Sequence, residues 1–302
     1  MSLVLDRPLA VGSAPGKLIL FGEHAVVYGQ TAIAAAVGLR STVSLWHHDG
    51  PTHIRNSSFD DFRLRRAVSM ALPAHGIAVD IGSELPPGRG MGSSASIAVA
   101  MVRAAAALAG EQPEREALFE RSLALERIFH GTPSGVDNAV ALSGGLLRFR
   151  RGPPLELEPL ELAQPLHLVV LDSGSPGSTA ELVAAVRAAR PRVDRVLDAI
   201  GRLAEQATGL LDDHKALGNA MNDAQAMLVL LGVSTPRLSE LCSLARDAGA
   251  LGAKLSGAGG GGVVVALAEP DTVPAILAAA GRREVPAFAL QLPIPSASPE
   301  PT

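Results

Sequence analysis

The residues best placed to do chemistry begin at Pro86-Pro87-Gly88-Arg89-Gly90-Met91-Gly92-Ser93-Ser94-Ala95-Ser96, a glycine-rich loop that ends in hydroxyls and runs into alanine-rich sequence. Glycines at alternate positions leave backbone N–H groups unshielded and admit positive φ. Serines where a helix begins meet free N–H groups and the positive end of the macrodipole, which attract anions. A nucleoside triphosphate suits such a loop, and a serine hydroxyl there can ligate its Mg²⁺. A tight turn capped by Ser93 or Ser94 has the same composition.

Lys17 opens the apolar run Lys17-Leu18-Ile19-Leu20-Phe21. It is either an edge lysine whose ammonium reaches water or a cation holding a carboxylate or a phosphate. Glu23-His24 follow just after it, where loops carry polar groups. Glu126 stands in the last turns of a helical pattern, where the dipole disfavours a carboxylate. The positive neighbour this calls for is Arg127 or a Mg²⁺ ion. Asp137 follows the shaped segment Gly131-Thr132-Pro133-Ser134-Gly135 and by itself reads as a cap or turn residue. In Lys254-Leu255-Ser256-Gly257-Ala258-Gly259-Gly260-Gly261-Gly262, the glycines signal backbone passing close to another backbone or a ligand, or a flexible hairpin.

These residues need elements to hold them. Val11 to Phe21 reads as a strand broken at Pro15-Gly16, and 32–39 and 42–46 as two further strands. Residues 50–61 are polar and turn-rich, hence a loop, followed by a short helix over 61–70 and a strand over 77–83. Ser94 to Leu108 is a small-residue helix stopped by Gly110, with alanines that allow close packing on a sheet. Pro113 opens a helix that runs to about Phe129, and residues 130–138 form a loop. Strands are expected at 146–150 and 166–171, with 152–165 as a linker or long hairpin turn. Helices at 179–190, 192–211, 214–231, 236–248 and 272–281 follow, with strands at 252–255, 262–268 and 287–292. The fold class is α+β, with antiparallel or mixed sheets layered with helices. A dinucleotide-binding Rossmann fold does not fit, because the glycine loop is outside the first strand–helix unit and no acidic residue follows at the ribose-binding distance.

Length and composition bound the rest. The 302 residues suit two domains, and 47% hydrophobic against 19% charged residues allow a substantial interior. A net charge of −4 and 3% aromatics argue against a nucleic-acid partner. The single cysteine, Cys242, reads as a buried thiol in an apolar helical pattern and suits a reducing, cytoplasmic setting. No signal-peptide pattern and no apolar run of roughly 18 residues are present, so no membrane partner is expected. The eight histidines show no zinc-ligand spacing.

Taken together and in order, the glycine-bearing segments resemble the GHMP kinases, over Ser13 to Val265. Within that family, Gly22-Glu23-His24-Ala25-Val26-Val27-Tyr28-Gly29 and the segment His130 to Asn138 look most like the mevalonate kinase branch. Galactokinases put an aspartate soon after Gly-Glu-His, where this chain has Val26-Val27. The resemblance implies two domains. Residues 1–165 would be ribosomal protein S5 domain 2-like, 166–292 ferredoxin-like, and 293–302 a disordered tail. It implies ATP-dependent phosphorylation of the primary C5 hydroxyl of mevalonate to 5-phosphomevalonate. The alternatives are another small-molecule kinase of the family, acting on phosphomevalonate or a sugar, and a non-catalytic nucleotide-binding sensor.

By the same resemblance Pro87, Gly88, Arg89, Gly90, Met91, Gly92, Ser93 and Ser94 wrap the ATP phosphates, while Ser94 and Glu126 hold Mg²⁺. Asp137 is the catalytic carboxylate, with Lys17 paired to it beside the substrate hydroxyl. Glu23, His24, Thr179 and Gly259 line the substrate side. The Asn56-Ser57-Ser58 segment is the candidate adenine wall. Two positions depart from the family: Gly177, where some members carry arginine, and Tyr28, where histidine is common. A homodimer is compatible with the family.

Overall fold

The computed structural model describes residues 7–57, 60–131, 133–153, 155–177 and 179–292. The expected tail at 293–302, together with Ser58, Thr132 and Ser178, lies outside them. The chain divides into two compact units interleaved in sequence: Met1–Gly16, Gly38–Pro86 and Gly92–Ser143 form one, and Lys17–Val37, Pro87–Met91 and Gly144–Thr302 form the other.

Strands β1 (Ala10–Phe21) and β2 (Thr31–Pro51) come first, flanking a short 3-10 turn at Ala25–Tyr28. β1 is unbroken, contrary to the expectation at Pro15-Gly16. Among the described residues its partner strand in the sheet is β2, and a strand laddered on one side tolerates proline's missing N–H. The two strands expected over 32–46 are a single strand, because apolar and small residues continue through Gly38.

In the first unit, β3 (His53–Ser57) runs parallel to β4 (His75–Ser83), and residues 41–51 of β2 run antiparallel to β4. The expected loop at 50–61 therefore contains a strand. Helix α1 (Phe62–Ala71) is capped by Asp61, whose carboxylate accepts from Leu64 N. Helices α2 (Ser93–Ala109), α3 (Arg115–His130) and α4 (Val136–Ser143) follow. The expected loop at 130–138 thus ends early, and Asp137 sits in the first turn of α4.

The small residues of α2 let backbone meet backbone. A Cβ on Gly12 of β1 would overlap Ala100 O. Ser96 Oγ donates to Ala14 O at 2.7 Å, and Arg103 donates to Ser13 O and Leu142 O. Val43, Leu45, Leu64, Val79, Ile97, Met101 and Leu125 form this unit's core.

In the second unit, residues 31–35 of β2 pair with β5 (Leu146–Arg150), and β5 pairs with β6 (Glu156–Leu160), both antiparallel. Of the two readings of 152–165, linker or long hairpin turn, the hairpin is the one observed, and it carries a strand of its own. A four-stranded antiparallel sheet has the order β10-β7-β9-β8, built from β7 (Leu166–Asp172), β8 (Gly252–Ser256), β9 (Val263–Ala268) and β10 (Ala287–Leu292). Helices α5 (Thr179–Ala189), α6 (Asp194–Ala207), α7 (His214–Leu230), α8 (Pro236–Asp247) and α9 (Val273–Arg282) accompany it. Val169, Leu171, Leu238, Leu241, Leu255, Val264 and Ile276 form its core, with Cys242 among them.

Candidate functional site

The first unit carries an oxygen cluster at the start of α2. Gly92, at φ +72°, is the N-cap residue and offers no side-chain cap, so the first-turn N–H groups keep their donor capacity. Ser94 Oγ lies in that first turn. It donates to Glu126 Oε1 at 2.8 Å, and His130 Nε2 is 3.1 Å from the same hydroxyl. A hydroxyl has one proton, so His130 Nε2 is the donor in that contact. Glu126 is 2% exposed, although it lies near the C-terminus of α3, as its sequence position required. Glu126 and His130 are four residues apart and share a helix face. That spacing is not evident from the sequence pattern, which ends the helix at about Phe129 and leaves His130 in a loop, whereas α3 includes it. Asp137 belongs to this unit as well.

The second unit carries the remaining candidates. Lys17 is 3% exposed, and its ammonium donates to Gly90 O at 2.8 Å. Its backbone N donates to Met91 O at 2.9 Å. The lysine is therefore neither at the surface nor snorkelling. Gly88 and Gly90 have φ +70° and +74°, as the loop composition requires. Arg89 Nε donates to Asp172 Oδ2 at 2.9 Å, a partner nothing in the local sequence indicates.

Beyond β1, Glu23 is 1% exposed and ion-paired with Lys254. Burial pushes the Glu23 carboxyl up, with Lys254 opposing, and pushes the Lys254 ammonium down, with Glu23 opposing. His24 takes a positive φ of 60°, uncommon for residues other than glycine. Its Nε2–H donates to Ala258 O at 2.8 Å. Burial lowers the His24 pKa, with Ala258 opposing, which favours the neutral ring.

The third glycine segment is a packing device and not a floppy hairpin. A Cβ on Gly259 would overlap Val233 O, and one on Gly261 would sit 2.6 Å from Ser175 O. One on Gly262 would sit 2.9 Å from Arg89 O. Gly177, the first departure from the family, has a similar cause: its Cβ would lie 2.6 Å from Gly259 O, which leaves no room for arginine. Gly177 N donates to Gly88 O at 3.1 Å. Tyr28, the second departure, has the Arg190 guanidinium 4.5 Å from its ring centroid. Thr179 is the first residue of α5. Cys242 is buried, and burial pushes its thiol up to about 12, so it is no nucleophile.

Comparisons with known proteins address the family and the fold. Residues 62–145 match the family model of the GHMP kinases N terminal domain, and residues 202–287 that of the GHMP kinases C terminal domain. Mevalonate kinase of Pyrococcus horikoshii is 38% identical, over 85% of this chain and 88% of its own. Mevalonate kinase of Schizosaccharomyces pombe is 31% identical, over 86% and 83%. The crystal structure of L. major mevalonate kinase in complex with R-mevalonate superposes with a TM-score of 0.80 at 29% identity, covering 95% of this chain and 99% of that one. The chain belongs to the GHMP kinase family.

Proposed function

We propose that this protein transfers the γ-phosphoryl group of ATP to the primary C5 hydroxyl of mevalonate. The observation that carries the reading is the Ser94–Glu126 contact at the uncapped start of α2. A hydroxyl and a buried carboxylate at a helix start without a side-chain cap suit a polyphosphate with a hard cation. The mevalonate kinases that match this chain along most of its length support the choice of acceptor.

In this reading Gly88 to Ser94 hold the phosphates through backbone N–H groups, and Arg89 and Lys17 flank them. Asp137 accepts the proton of the attacking hydroxyl, and Lys17 balances the negative charge that develops on the oxygen. Glu23, His24, Thr179 and Gly259 take the acceptor. Among the described residues no three or more His, Cys, Asp or Glu side chains are grouped to hold a metal. The oxygens of Ser94 and Glu126 nonetheless fit Mg²⁺, which binds through few protein ligands and keeps phosphate and water as the rest. When bound, the ion neutralises phosphate charge.

The domain boundary at 165/166 is part of the same proposal, and the two family-model spans fall on either side of it. A cytoplasmic site of action is proposed from the buried free thiol. Among the described residues no helix is long and apolar enough to cross a membrane.

A coupled ADP-release assay over a panel of primary alcohols tests the function. Mevalonate should give the highest kcat/KM. Nucleotide binding without ADP release for any alcohol, or a better acceptor than mevalonate, would overturn the proposal.

A further inference from the structure

Lys254 lies outside every role given so far, yet it is among the most buried side chains of the molecule, at 0% exposure. An ammonium has three donors, and all are in use. Lys254 Nζ donates to Glu23 Oε1, to Leu255 O at 2.6 Å and to Ile19 O at 3.4 Å. Ser256, two residues on, ties the same point of β1: its Oγ accepts from Ile19 N at 2.9 Å and donates to Ile19 O at 3.1 Å. Strand β8 thus grips both the end of β1 and the acidic residue that follows it.

Glu23 is not satisfied in the same way. Its second oxygen, Oε2, is buried and has no hydrogen-bond partner among the described residues. A buried carboxylate oxygen without a donor is costly and calls for an explanation. The next residue, His24, holds a strained positive φ, and such strain gathers at ligand sites. The charge of Lys17 also acts on both Glu23 and Lys254, so the pair lies within electrostatic reach of the residue proposed to face the reacting hydroxyl.

We propose that Lys254 is a positioning residue: it occupies Oε1 of Glu23 so that Oε2 is presented as a hydrogen-bond acceptor to a hydroxyl of the acceptor substrate. The proposal rests on the reading above that Glu23 takes part in binding that substrate. Lys254 itself touches no reactant. It fixes which oxygen of Glu23 is free, and its positive charge keeps that oxygen an acceptor.

The test is steady-state kinetics on the full chain, comparing wild type with Glu23→Gln, Lys254→Met, Lys254→Arg and the double variant, each checked for a cooperative thermal transition. Lys254→Met should raise the KM for the acceptor by about tenfold to hundredfold, the scale of a hydrogen bond to a charged group. The KM for ATP should stay within about twofold. Lys254→Arg should recover part of the loss, and the double variant should be no worse than Glu23→Gln alone. An unchanged acceptor KM in folded Lys254→Met, or equal rises for acceptor and ATP, would overturn the proposal.

Should Lys254→Met not fold, the neutral double variant decides. A wild-type acceptor KM in it refutes the role, and the KM of Glu23→Gln supports it. Wild-type preference for an alcohol other than mevalonate sinks the mevalonate reading alone, and the variants are then compared on that alcohol.

Discussion

Asp137 occupies the first turn of α4, two residues beyond Gly135 at φ +91°. A carboxylate there interacts favourably with the positive end of the helix dipole. Loss of a general base costs about 10²–10⁴-fold in rate. Asp137→Ala should therefore lose turnover on that scale while still binding ATP, measured by ADP release beside nucleotide titration. Near-normal turnover would remove Asp137 from the chemistry. Much of the candidate site was readable as residue types: the glycines from Gly88 to Gly92, Lys17 at the head of an apolar run, and Glu126 near a helix end. What stayed hidden was partnership across sequence distance. Lys254 in an apolar strand gave no sign that it meets Glu23, 231 positions away. Nor did Arg89 point to Asp172.

At the scale of elements, the glycine loop is held by backbone contact in the second unit. Gly90 sits at φ +74°, its carbonyl accepts from Lys17, and a Cβ there would lie 3.2 Å from Ser256 O. A side chain in the left-handed region costs roughly 1–2 kcal/mol, and here Ser256 must also give way. Gly90→Ala should lower the thermal midpoint and raise the KM for ATP. Gly38 in β2 has no positive φ and nothing within 4 Å of an added Cβ, so Gly38→Ala should be neutral in both assays. If the two variants behave alike, the loop is not held as described. The apolar elements were legible because burial shows in their composition: α2 and β7 are buried along most of their length, and α7 buries Leu217, Met221, Ala224 and Leu228. The missed ones were exposed or short. β3 (His-Ile-Arg-Asn-Ser) and β6 (Glu-Leu-Glu-Pro-Leu) are largely exposed, so neither shows clean alternation. α4 has eight residues, too few to establish a helical period.

For the whole molecule, two units with separate cores mean that stability need not be a single transition. The Ser94–Glu126 contact lies within the first unit. A nucleotide whose cation is held there should raise the unfolding transition of that unit. Binding stabilises by RT ln(1 + [L]/Kd), which is about 2.7 kcal/mol at roughly 100 times Kd. For domains of this size each kcal/mol moves the midpoint by about 2–4 °C, so ATP with Mg²⁺ should shift calorimetric transitions by ~5–10 °C. If the Ser94 and Glu126 oxygens hold the cation with the phosphates, chelating Mg²⁺ with ATP still present should remove most of that shift. A shift untouched by chelation would separate the Ser94–Glu126 cluster from nucleotide binding.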